Sequence, residues 1–154
     1  MNSKKLKIGF DAKRLFHNFT GLGNYSRTLV RELQARYPEH EYHLFTSKVS
    51  EHVELKYFLD PNKFHIHTSH SWSSSYWRSY GVIAIFDQIE LDIYHGLSHE
   101  LPFNIKKSKV KSILSFHDLI YEKYPAQFGI IDSFIYKYKY RKSVKIADQI
   151  VAIS

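Results

Sequence analysis

Two groups of residues in this 154-residue chain are of types that could do chemistry together. The first is Arg14 with Gly21 and Gly23, just beyond a stretch in which Leu6, Ile8 and Phe10 alternate with Lys7 and Gly9. The second is polar: His95, Ser98, His99 and Glu100 follow one apolar run, and His117 and Asp118 follow another. Glycines that open a helix let a ligand approach the unpaired N–H groups of its first turn. The helix dipole adds partial positive charge there, so phosphate or diphosphate is the natural guest. Lys13, Arg14 and His17 in the same loop add charge. A short G-x-G also occurs where the glycines serve only the turn and the basic side chains stand in solvent, and spacing alone leaves both readings open. A histidine that ends a strand is likewise either a hydrogen-bonded turn residue or a group that faces a ligand.

These residues need elements to position them. The alternation over 6–10 has the two-residue period of a strand. Leu22, Tyr25, Leu29 and Leu33, with Val30 beside them, recur at spacings of three and four. They predict a helix from Gly21 to about Tyr37, where the following Pro38 disfavours helical geometry. Residues 42–46 predict a short strand, 47–61 an irregular stretch with room for a helical turn and a weak strand at 55–58, and 64–68 a strand with Phe64 and Ile66 inward. Trp72, Tyr76, Trp77, Tyr80, Ile83 and Ala84 give a helical period ending near Gln88, with Ser69, Ser71 or Ser73 as its cap. Strands follow at 91–95, ended by Gly96, and at 110–116, across a loop over 97–109. A long helix over 129–147, with Ile131, Phe134, Ile135 and Tyr138 on one face, leads to a last buried strand at 149–153.

Strands alternating with helices imply an α/β fold: a mainly parallel sheet, with helices on both faces, in a Rossmann-like three-layer sandwich. Such sheets bind ligands beyond the C-terminal ends of their strands. That rule gathers Arg14, the two glycines, His95, Ser98, His99, Glu100, His117 and Asp118 onto one rim.

Composition narrows the class. Twenty-two Lys and Arg against fifteen Asp and Glu leave a charge of +7, which favours anionic partners: nucleic acid, phosphorylated substrates or an acidic membrane surface. No apolar run approaches the roughly 20 residues of a membrane span, and the chain is expected to be one soluble domain over 1–154. Lys7, Asp11, Lys13 and Arg14 interrupt any apolar leader, so no cleaved signal peptide is expected. With no cysteine, disulfides and cysteine metal sites are excluded, in keeping with a cytoplasmic location.

Five segments, in order, carry a resemblance: F-D-A-K-R-L-F, T-G-L-G-N-Y-S-R-T-L, D-I-Y-H-G-L-S-H-E-L-P, F-H-D-L-I-Y-E-K-Y-P and A-D-Q-I-V-A-I-S. Together, from Lys7 to Ser154, they resemble the N-terminal, acceptor-side domain of family 4 glycosyltransferases with the GT-B fold. The resemblance implies one lobe of a two-lobed enzyme that moves a sugar from a nucleotide-sugar to a carbohydrate or lipid-linked acceptor, such as in polysaccharide biosynthesis. Anomeric configuration is retained, with no metal and no cofactor beyond the nucleotide-sugar donor. A C-terminal lobe, in cis or in trans, would hold most of the donor, and this chain alone would be inactive. Residue by residue, Gly21 and Gly23 match the glycine loop beside the donor diphosphate, and His117 matches a histidine facing the transferred sugar. His95 lies in the Y-H-G segment, with Arg14, Tyr25, Glu100 and Asp118 as acceptor-side neighbours.

Other features have plainer readings. Asp118 is suited to orient His117, and Glu100 to a solvated loop. His65, His67 and His70 suggest a metal, but neighbouring histidines on a polar strand are commonly surface groups, and no metal is expected. Lys137, Lys139, Arg141, Lys142 and Lys145, interleaved with Tyr136, Tyr138 and Tyr140, suit a solvated helix face, or else peripheral contact with the inner face of a membrane. No nucleic-acid motif accompanies the charge. The competing view of the whole chain is a non-catalytic Rossmann-like anion-binding module, or one subunit of a two-chain transferase.

Overall fold

The structure, a computed structural model, describes residues 4–69, 73–118 and 130–153. Its centre is a six-stranded, wholly parallel sheet: β1 (Lys7–Asp11), β2 (Glu41–Thr46), β3 (Phe64–Thr68), β4 (Ile93–Gly96), β5 (Lys111–Phe116) and β6 (Gln149–Ala152). The strands run in the order β3-β2-β1-β4-β5-β6. The order reverses direction beside β1, and the crevice at such a switch point is where open α/β sheets place ligands. The fold is therefore α/β and Rossmann-like, as the alternation of elements predicts.

The two-residue period of the strands builds two cores. Phe10, Tyr42, Leu44 and Phe64 meet Leu15 and Phe16 of α1 (Lys13–His17) and Val30 of α2 (Gly21–Arg36) on one face. On the other, Phe45, Tyr94 and Leu114 meet Trp77, Ile83 and Phe86. Trp77 opens a π-turn over Trp77–Gly81 that follows α3 (Ser74–Tyr76), and Ile83 and Phe86 belong to α4 (Ile83–Gln88).

Several expectations are corrected. The basic loop after β1 is the short helix α1. The weak strand at 55–58 is a 3-10 helix, Val53–Leu59; Leu55 and Phe58, three apart, are buried on the same side of it, which is the 3-10 period. The helix predicted through Trp77 and Tyr80 starts at Ser74, with Ser73 Oγ accepting from Tyr76 N–H, and carries the π-turn; Ser71 and Trp72 lie outside the described residues. The final helix is α5 (Ile130–Ile146), and of its predicted apolar face Phe134 is 75%, Ile135 42% and Tyr138 56% exposed, while the Ile131 side chain lies outside the described residues. The helix docks through Tyr140, buried Ser143 and Ile146. The last strand, expected to be buried, is exposed and, among the described residues, is an edge strand paired to β5 alone, with Ile150 47% exposed.

Candidate functional site

The C-terminal ends of β1, β4 and β5 carry three linked clusters. The first follows β1. Asn18 Oδ1 accepts from Thr20 N–H, Thr20 Oγ1 and Gly23 N–H (2.8–3.0 Å), so it caps the entry to α2. Arg27, buried one turn along, donates to the carbonyls of Leu15 (3.0 Å) and Asn18 (2.8 Å) and to Asn24 Oδ1 (2.6 Å). It locks α1 and the glycine loop onto α2. The two glycines then differ in kind. A Cβ on Gly23 would stand 1.6 Å from Asn18 O, so a close backbone approach requires that glycine, and its N–H is already taken. Nothing lies within 4 Å of a Cβ on exposed Gly21, which leaves room for a ligand. Arg14, in α1, is half-buried, and its Nε is buried without a hydrogen-bond partner among the described residues.

The second cluster lies on the α2 face of the sheet. Tyr25 Oη and Ser115 Oγ share a hydrogen bond of 2.8 Å, and Ser115 Oγ meets His95 Nε2 at 2.9 Å. His95 is buried, which pushes its pKa down to about 4 and holds the ring neutral. It therefore sits beneath the rim and orients Tyr25 through Ser115. His117 stands above, its ring 4.7 Å from that of Tyr25 and at 88° to it. His117 Nε2–H donates to Leu97 O (2.8 Å). A carbonyl can only accept, so Nε2 carries a proton. His99 Nε2 accepts from the N–H groups of His117 (3.0 Å) and Asp118 (3.4 Å).

The third cluster was hidden from sequence reasoning. Arg78, in the π-turn, donates to Asp11 Oδ2 at 2.8 Å and lies 3.5 Å from Glu100 Oε2, which is 3.8 Å from Lys139 Nζ. Asp11 Oδ1 also accepts from Lys13 N–H (3.1 Å). The carboxylates of Asp11 and Glu100 raise the Arg78 pKa against the opposing effect of burial, while burial lowers that of Lys13. Glu100 is thus a half-buried member of an ion network, not a solvated loop carboxylate. The network encloses only about 10 Å³ of free space, room for a single water.

The rim loop after β4 is tightly drawn. A Cβ on Gly96 would lie 2.3 Å from Glu100 O, and His99 takes a left-handed φ of 64° to close the turn. Arg14, Gly21, Tyr25, Glu100, His117 and Asp118 accordingly collect at one end of the sheet, with Gly23 and His95 as supports beneath them. Asp11 and Arg78 are the residues the sequence did not single out as site candidates. Asp11 at a strand end and a lone arginine in an aromatic helix are the signals that could have found them.

The family model for Glycosyltransferase Family 4 matches residues 19–154. The chain belongs to that family. No curated protein matches it significantly. The matched residues span α2 through β6, so the roles of Asp11 and Arg14 rest on the geometry around β1. In this family 4 domain no described helix is long and apolar enough to cross a membrane. Among the described residues no cluster of three His, Cys, Asp or Glu is placed to hold a metal. His43 does join His65 and His67 in a stack, with His43 Nδ1 3.0 Å from His67 Nε2, and His70 lies outside the described residues. A hollow of about 630 Å³ opens near Glu90, Asp92 and Lys109, at the opposite end of the sheet from these clusters.

Proposed function

We propose that this glycosyltransferase domain forms the acceptor-side wall of a retaining, nucleotide-sugar-dependent hexosyltransferase. A second lobe, in cis or in trans, holds most of the donor. The observation that carries the reading is the convergence of Gly21, Tyr25 and His117 on the C-terminal rim beside the switch point of the sheet. In the reaction, the bond from the sugar C1 to the diphosphate oxygen breaks. The acceptor hydroxyl oxygen bonds C1 on the same face, and its proton passes to the departing phosphate oxygen. Charge grows on that diphosphate, and the N–H groups at Gly21 with the Arg14 guanidinium are suited to stabilise it. His117 is suited to hydrogen-bond a hydroxyl of the transferred sugar, and Asp118 to meet the acceptor. No bound metal takes part in this scheme, which is the chemistry the family resemblance implies.

The acceptor is a carbohydrate or a lipid-linked sugar, met on the cytoplasmic side of a membrane. The exposed face of α5 supports peripheral contact there, because Phe134 and Tyr138 lie among Lys137, Arg141, Lys142 and Lys145. The exposed Ile150, Val151 and Ile153 support a protein surface against β6, such as the second lobe. The test is transfer from labelled nucleotide-sugars to glycan acceptors with that lobe present. His117→Ala is expected to lower kcat by about 10²-fold or more while leaving the thermal midpoint within a few degrees. The chain alone should show no turnover. Transfer by the chain alone above its His117→Ala control would overturn the division of labour, and wild-type turnover by His117→Ala with both lobes would overturn the role of the histidine.

A further inference from the structure

His99 joins three parts of the rim, yet the scheme above gives it nothing to do. Its backbone is left-handed at φ 64°, a conformation uncommon outside glycine and favoured several-fold by asparagine, aspartate and histidine among the rest. Its N–H donates to Ser115 O (3.1 Å), which ties the β4 loop to β5. The buried ring stacks on Tyr140 of α5 at 4.8 Å and 25°, and meets Phe116 edge-on at 4.8 Å. That sandwich aims Nε2 at the first two amides beyond the end of β5, those of His117 and Asp118. Amides in that position have left the ladder and need an acceptor. Two N–H groups converging on one nitrogen also fix the ring as the Nδ1–H tautomer.

We propose that His99 is a positioning residue for sugar transfer, its Nε2 lone pair holding the His117–Asp118 backbone so that the His117 imidazole stands at the edge of Tyr25. The inference rests on the reading of His117 as the sugar-facing group. It explains why a histidine occupies a left-handed position. A flat ring fills the slot between Tyr140 and Phe116, and only a ring or amide with a lone pair at that reach can also take the two amides. Burial, with the charges of His117 and Arg14 nearby, lowers the pKa of His99 to about 4, against the opposing pull of Asp118. The acceptor therefore persists at neutral pH.

The test separates an acceptor from a filler. His99→Phe keeps the ring against Tyr140 and removes the lone pair; His99→Gln restores an acceptor at similar reach. Amide hydrogen exchange of His117 and Asp118 is measured by NMR, with the β5 amides as internal reference. His99→Phe should speed exchange at both amides by about tenfold or more relative to β5, and His99→Gln should recover most of the protection. Unchanged exchange in folded His99→Phe would overturn the proposal. Should that variant not fold, acid titration of the wild type takes its place. The amide shifts of His117 and Asp118 must then move with the midpoint of the His99 ring, whose facing groups are His117, Asp118, Arg14 and Tyr140; separate midpoints would overturn it. In the transfer assay His99→Phe should lower kcat while donor KM holds. Lost amide protection with wild-type turnover would overturn the positioning role and leave the transferase reading standing. If no form transfers sugar, the transferase reading falls, and the exchange data alone decide whether His99 holds the loop.

Discussion

At the scale of single residues, the rim is held by atoms that leave no room for change. Gly21 and Gly23 look alike in the sequence, two residues apart at a helix start, and the structure separates them by what a methyl group would meet. Gly23→Ala puts a carbon 1.6 Å from Asn18 O and is expected to destabilise the domain by about 3 kcal/mol or more, because α1 and α2 must part to admit it. Gly21→Ala meets nothing within 4 Å and should change stability by no more than about 1 kcal/mol, in the stabilising direction. Urea unfolding of the two variants checks the contrast. Donor binding should discriminate in the other direction, since the open space at Gly21 is where a diphosphate would approach. The glycines themselves were legible in the sequence as a helix opening. Their difference was not, because it depends on where the carbonyl of Asn18 comes to rest, and that is fixed by the buried Arg27 clamp.

At the scale of elements, periodicity located nearly every strand and helix, and it failed where an element departs from its own period. The helix over Ser74–Gln88 is interrupted by a π-turn in which Val82 N–H reaches Trp77 O (2.9 Å). The extra residue lets neighbouring Trp77 and Arg78 both point inward, one to the core and one to Asp11. No hydrophobic pattern announces such a turn, so the network of Asp11, Arg78, Glu100 and Lys139 stayed hidden. Arg78→Met leaves two carboxylates facing each other in a half-buried site, and should cost about 3 kcal/mol. Adding Asp11→Asn should recover part of that loss. A double-mutant cycle by chemical denaturation measures the coupling, which additive losses would refute. The exposure of one side of α5 was not legible for a different reason: an apolar stripe shows that a helix has a face, not what covers it.

At the scale of the whole molecule, acid sensitivity is built into both halves of the sheet. Burial pushes the pKa values of His43, His95 and His99 down to about 4, aided for His43 by His65 and His67. Unfolding returns each to about 6.5, so between those values the unfolded chain binds more protons than the folded one. Stability should be flat above about pH 6.5 and fall as pH drops towards 4, with a limiting slope of up to about three protons. Asp148, its carboxyl held low by Lys106 and Ser112, adds a further loss below the ordinary carboxylate range. Urea midpoints at pH 7.5 and 5.0 test the sign; equal midpoints would mean that these rings titrate normally. The strand alternation and the rim were readable at this scale because parallel α/β architecture follows from element order alone. The strand order carries one more consequence, for synthesis. β1 lies in the middle of the sheet, and Ile8 pairs with Ile93. At ribosomal rates of about 5–20 residues per second, roughly 4 to 17 seconds separate the making of those two partners. Throughout that interval the nascent chain can complete only the β3-β2-β1 half-sheet, with the β1 edge open. For those seconds it is a substrate for chaperones, and a synonymous change that slows translation before Ile93 would lower the yield of folded protein without altering a single residue.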